Sequence, residues 1–274
     1  MMRLLAQLSS VAALAVLAIA APARSVPRAS YCSNNINSTG DALSCEEGNC
    51  PLVEAADTET LYEFDNYGNV AGFLAVDRTN QLLVVSFRGS RSLSTWLANI
   101  NFDLTDASSL CPNCEAHDGF LQSWETVADD LTAKIAAAQT TYSGYTLILT
   151  GHSFGAAVAA LGGTELRNAG YNPNVYSYGQ PRVGNEALAT YITNQGSIWR
   201  VTHTDDLVPK LPPASFGFSH PSPEYWITSG DDQTVTASDI DVIEGVGSKD
   251  GNAGTLNPNT DAHSWYLGHI TACQ

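Results

Sequence analysis

Basic residues are scarce in this chain of 274: twelve lysines and arginines stand against 28 aspartates and glutamates, leaving a net charge of −16. Such an acidic surface excludes nucleic acid as a partner and removes electrostatic attraction to anionic membranes. Any docking on a lipid surface must therefore be apolar. Long hydrophobic runs are also few. Leu4 to Ala20 is one, and the lack of a second argues against an integral membrane anchor. There is no internal repeat and no linker between two cores, so a single domain is expected, with 44% hydrophobic residues to build its core. Only one C-x-x-C is present, Cys111 to Cys114, and the histidines are not clustered. A zinc or redox site is thereby disfavoured, and neither metal nor cofactor is expected.

What is present begins with a leader. Met1-Met-Arg3, the apolar run and the small-residue ending Ala18-Ile-Ala20 form a secretory signal peptide over residues 1–20. Residues 21–28 would be a propeptide trimmed after Arg24 or Arg28, leaving residues 29–274 as the secreted domain. Loss of Arg3, Arg24 and Arg28 takes the net charge to −19. Export favours disulfides, and six cysteines allow fifteen pairings. Spacing narrows them: Cys45–Cys50 and Cys111–Cys114 each close a turn, which leaves Cys32–Cys273 to join the two ends. Asn37-Ser-Thr39 is the one N-glycosylation sequon.

Strand patterns cover Leu61 to Phe64, Gly72 to Val76, Gln81 to Phe87, Tyr145 to Thr150, Asn174 to Tyr178 and Ser197 to Thr202. Helical spacing covers Ser94 to Phe102, Ser123 to Ala138 with Ser123 as N-cap, Ala156 to Arg167, and a segment after Asn185. Beyond Asp206 the pattern turns loop-rich, with five prolines from Pro209 to Pro223. Alternating strands and helices predict an α/β domain with a central mixed sheet.

Between the fourth strand and its helix lies Gly151-His-Ser-Phe-Gly155. G-x-S-x-G between strand and helix is the nucleophile elbow of α/β-hydrolase-like folds, which makes Ser153 a candidate nucleophile. The backbone N–H of Phe154, next in sequence, is the candidate oxyanion donor. A serine needs a base and an orienter, which follow in the order acid, histidine. Asp205 and Asp206 leave the strand ending at His203, and the residues alone do not choose between them. Asp231 and Asp232 read as a solvated turn. His263 is favoured over His269 as base, while His117, His203 and His220 are read as structural, each with one buried hydrogen bond.

Five segments together resemble the filamentous-fungal class 3 lipases of the Thermomyces and Rhizomucor type. They are Ser86-Phe-Arg-Gly-Ser-Arg-Ser92, His117-Asp-Gly-Phe120, the elbow, Tyr178-Gly-Gln-Pro-Arg-Val-Gly184 and Val201-Thr-His-Thr-Asp-Asp-Leu-Val-Pro-Lys-Leu-Pro-Pro213. The resemblance runs from about Tyr31 to Cys273. It implies that Asp206, which precedes an aliphatic-Val-Pro segment, is the acid and that His263 in Ala262-His-Ser-Trp-Tyr266 is the base. It places the second oxyanion donor at Ser90, and the family's cysteine pairing agrees with the one above. Two departures stand out: Phe154 occupies a site where leucine is common in the family, and the family's N-terminal helix before the first cysteine is shortened or absent.

Leu93, Trp96, Leu97 and Ile100 form one apolar stripe. In the resembling family a lid occupies that place, here about residues 91–100. The implied function is ester hydrolysis of triacylglycerols at a lipid–water interface, by a protein expected to act as a monomer. Leu93 and Trp96 weigh against a feruloyl or other soluble-ester esterase of the same fold, which would carry a polar loop there. An intact set of Ser153, Asp206 and His263 weighs against a catalytically dead binding protein.

Overall fold

The computed structural model describes residues 38–44, 51–65, 70–90 and 92–270. Cys32–Cys273, Cys45–Cys50, the Asn37 sequon, the leader and Arg91 all lie outside them. Twelve strands are formed in this part of the chain. The first five are β1 (Thr58–Asp65), β2 (Ala71–Asp77), β3 (Leu82–Phe87), β4 (Leu104–Asp106) and β5 (Glu115–His117). The next four are β6 (Thr146–His152), β7 (Asn174–Tyr178), β8 (Gly184–Asn185) and β9 (Ile198–His203). The last three are β10 (Phe218–Ser219), β11 (Glu224–Ile227) and β12 (Ile240–Ile243). Four helices that bear on the site are α1 (Leu93–Asn99), α2 (Asp118–Thr141), α3 (Phe154–Asn168) and α4 (Glu186–Gln195).

Eight strands make the main sheet in the order β1-β2-β3-β6-β7-β9-β11-β12. Pairing is parallel from β3 through β11 and antiparallel at both edges, so the sheet is mixed and mostly parallel, with helices packed on it. Side chains alternate between faces along a strand. Leu83, Val85, Phe87, Leu147 and Leu149 join the helix-side core, while Val84, Ile148, Tyr176, Tyr178 and Val201 join the other, which Tyr266 and Ile270 cover. Both faces are covered, which explains the nearly unbroken apolar runs of β3 and β6.

The small residues of α3 let it sit close against its neighbours. A Cβ on Gly162 would meet the Trp124 ring at 2.6 Å. Trp124 of α2 is fully buried there, and its indole N–H donates to Glu165 at 2.8 Å. Burying such a side chain contributes about 2–3 kcal/mol.

One sequence expectation needs correction. Helix α2 starts at Asp118 rather than Ser123, because His117 supplies the N-cap by accepting from the Phe120 N–H; Ser123 instead donates to the Gly119 carbonyl at 2.6 Å. The loop-rich region after Asp206 also holds strands that its local pattern did not show. β11 forms on the edge of β9 and β12 on β11, a long-range cause that local pattern does not carry. The short strands β10-β8-β5-β4 form a second sheet whose segments are too brief to show a period. Cys111 and Cys114 are joined, with Cα atoms 5.4 Å apart and Asn113 at positive φ between them. Among the described residues no helix is long and apolar enough to cross a membrane.

Candidate active site

Because β3, β6, β7 and β9 run parallel, they deliver their following loops to one edge of the sheet, the usual place for a site in such folds. Ser153 stands alone between β6 and α3, at φ 58° and ψ −126°. That backbone costs a non-glycine residue on the order of 1–3 kcal/mol and persists only where the surroundings enforce it. Here the glycines allow the tight turn. A Cβ on Gly151 would run into the Gly155 carbonyl, and one on Gly155 into the Phe87 carbonyl. The Ser153 N–H is held by the Tyr178 carbonyl at 2.9 Å.

Asp206 follows β9 and is fully buried. Its Oδ1 accepts the Val208 N–H at 2.9 Å and its Oδ2 accepts from His263 Nδ1 at 2.8 Å. Asp205 turns away, to a separate hollow it shares with Trp226 and Asp231. His269 packs on Trp265, with ring centroids 6.0 Å apart. With Nδ1 donating to Asp206, the basic lone pair of His263 sits on Nε2, which is buried without a protein hydrogen-bond partner.

The turn that carries His263, Asp261–Ser264, is docked on the elbow by the residue before Ser153. His152 Nε2 donates to the His263 carbonyl at 2.9 Å, and the two rings lie 4.2 Å apart. Burial, and then the neighbouring His263, hold the His152 imidazole well below its ordinary pKa, so it is neutral.

Tyr266 is a member of the site to which the sequence reading assigned no role. Its hydroxyl donates to Asp206 Oδ2. Burial and the Asp206 carboxylate push the phenol well above its ordinary pKa, so it stays a donor. Only its place three residues after His263 hinted at it. Tyr266→Phe removes one of three bonds to the carboxylate, and a charged hydrogen bond contributes about 1.5–3 kcal/mol. The expected result is a fall in kcat of roughly tenfold or more with little change in KM on a soluble ester, measured by steady-state kinetics.

Ser90 and Phe154 line one cavity of about 870 Å³, together with Gly89, Trp96, Ile100 and Phe120. Helix α1 roofs it. Leu93, Trp96, Leu97 and Ile100 are half-buried, whereas Ser94, Thr95, Ala98 and Asn99 are exposed. Ser92 caps the helix by accepting from the Thr95 N–H at 3.2 Å. Trp96 stacks on Phe120 with centroids 6.5 Å apart, and Phe120 meets Phe154 edge-on at 5.8 Å.

A mostly parallel sheet with a serine on its central strand-to-helix turn, and a buried aspartate–histidine pair at the same edge, defines an α/β-hydrolase-like ester hydrolase. Comparison with known proteins narrows this. The model of the lipase (class 3) family matches residues 84–216. The secreted mono- and diacylglycerol lipase A of Penicillium cyclopium is 48% identical over 239 residues, 85% of this chain and 78% of that protein. Secreted mono- and diacylglycerol lipase 1 of Fusarium solani is 38% identical, over 89% of this chain and 74% of that protein. The crystal structure of the mono- and diacylglycerol lipase from Aspergillus oryzae superposes with a TM-score of 0.86 at 42% identity, covering 90% of this chain and 95% of that one. The chain belongs to the class 3 lipases.

Proposed function

We propose that this protein is a secreted serine lipase that cleaves acylglycerol esters through an acyl-enzyme, with mono- and diacylglycerols as its first substrates. The observation that carries the mechanism is the buried Asp206–His263 pair held by His152 against the turn bearing Ser153. Ser153 Oγ attacks the ester carbonyl while His263 Nε2 takes its proton, and Asp206 stabilises the imidazolium. The carbonyl oxygen, now negative, is met by the Phe154 N–H and by the backbone and hydroxyl of Ser90. Collapse expels the glycerol oxygen, which takes the proton from His263. Water then attacks the acyl-enzyme by the same route and frees the fatty acid.

Two observations favour partial glycerides. The relatives at 48% and 38% identity are named for them. The cavity beneath α1 is also rimmed by Asp65, Thr95, Asn99 and Asn101, groups suited to free glycerol hydroxyls. Rates on monoolein, diolein, triolein and methyl ferulate compare the candidates directly. Monoolein and diolein should exceed triolein at least tenfold, with methyl ferulate slowest. Equal rates on triolein would return the triacylglycerol reading, and a preference for ferulate would replace lipase by soluble-ester esterase. Export with cleavage after Ala20, and trimming after Arg24 or Arg28, is read out by N-terminal sequencing of protein from the medium.

In this reading α1 is a lid whose apolar stripe faces inward in water and outward on lipid, a population shift driven by the surface. Burying an indole in lipid contributes roughly 2–3 kcal/mol. Trp96→Ala should therefore weaken adsorption to an emulsion by one to two powers of ten and change hydrolysis of a dissolved butyrate ester far less. Equal losses on both would make Trp96 a packing residue.

A further inference from the structure

His203 ends β9 with its side chain fully buried. Its Nδ1 lies 3.0 Å from the Ala262 carbonyl oxygen and its Nε2 lies 2.8 Å from the Ser229 carbonyl oxygen. A peptide carbonyl only accepts, so each contact requires an N–H on the ring, and a neutral imidazole has one. A neutral ring would set a lone pair against one of the two oxygens at hydrogen-bond distance. His117 shows the neutral pattern by contrast. Its Nε2 donates to the Asn101 carbonyl at 3.0 Å while its Nδ1 accepts the Phe120 N–H. His220 also makes one bond, to the Pro209 carbonyl at 2.7 Å. One buried bond apiece was the expectation for all three; His117 and His203 each make two, and only His203 sets both ring nitrogens against carbonyl oxygens.

The charged and titratable groups around the ring are few. Asp231, from the loop after β11, places Oδ1 3.6 Å from Nδ1. Tyr266 lies with its ring 6.0 Å away and its hydroxyl turned to Asp206. Asp206, three residues along, gives its Oδ2 to His263 and Tyr266, and His263 itself adjoins Ala262. Asp205, two residues along, lines the same hollow as Asp231, and among the described residues Asp231 is the carboxylate paired with the ring within 4 Å.

We infer that His203 is held as the imidazolium in the working protein and is a positioning residue: its two N–H groups clamp the Asp261–Ser264 turn, which bears His263, to Ser229. The inference rests on His263 being the base. Loss of the second proton removes one of the ring's two donors, sets a lone pair against that carbonyl and loosens the turn. The rate on a soluble ester should then fall on the alkaline side through kcat, with KM unchanged within about twofold.

The test uses the full secreted protein labelled with nitrogen-15 at histidine, whose six side chains are few enough to resolve. His203→Gln identifies the His203 signals by their loss; if that variant does not fold, the set that responds to Asp231→Asn identifies them. At pH 7 both ring nitrogens of His203 should show the protonated signature, and one unprotonated nitrogen overturns the inference. Asp231→Asn removes a partly exposed counter-charge outside the site. Loss of that charge should favour release of the second proton, and the alkaline limb of kcat on a butyrate ester should move to lower pH with it. A shift in the spectrum without one in kcat shows that the clamp does not position the base. Full activity in Ser153→Ala would overturn the serine mechanism while leaving the charge state of His203 standing.

Discussion

Ser153→Ala is expected to lower ester hydrolysis on the order of a million-fold, with the protein still folded and exported. The loss is that large because the nucleophile, base and orienter act as a unit, so His263→Ala should cost nearly as much. Folding should survive because the substitution removes only a hydroxyl, while the backbone of the turn is held independently by the Ser153 N–H bond to Tyr178 and by the two glycines. Alanine inherits the positive φ of Ser153, so stability should change little relative to the wild type. Rates on a dissolved butyrate ester, with thermal unfolding as the control for folding, give the answer. Activity within tenfold of wild type would sink the assignment of Ser153.

Asp206→Asn should reduce kcat by about four powers of ten, and Asp205→Asn by less than tenfold. A carboxylate at position 206 accepts from Nδ1 and so keeps the lone pair of His263 on Nε2. An amide can present its N–H₂ to the ring instead and select the wrong tautomer. Three donors meet the carboxylate, from Val208, His263 and Tyr266, and amide geometry cannot satisfy all three. Asp205 lines a separate hollow to which none of Ser153, Asp206 and His263 contributes. The two aspartates are adjacent in sequence and chemically identical, which makes the pair a stringent comparison: equal losses, or the reverse order, would show that the carboxylate beside His263 is not the acid. Kinetics on a soluble ester avoid any contribution from adsorption.

Local sequence carried the parts of this protein whose physics is local. The elbow was legible because a tight strand-to-helix turn demands small residues on both sides of the serine. The apolar runs of β3 and β6 marked strands covered on both faces, and the spacing of Leu93, Trp96, Leu97 and Ile100 marked a one-sided helix. Strands β11 and β12 were not legible, since these four-residue segments gain their order from pairing, β11 on the edge of β9 and β12 on β11, rather than from their own period. Nor could the residues alone separate Asp205 from Asp206. That depends on which side of the chain faces a histidine 57 residues away; the resemblance to a family named Asp206, and the packing sets Asp206 against His263. Tyr266 and His203 belong wholly to the tertiary structure. A tyrosine or a histidine in sequence carries no mark of its partner. Only the fold brings a hydroxyl to a carboxylate already engaged, or sets an imidazole between two carbonyls. The sequence determined the turn that presents the serine and the strands that aim it; the distances among acid, base and their supports were decided by long-range packing, because hydrogen bonds between loops from separate strands have no local signature.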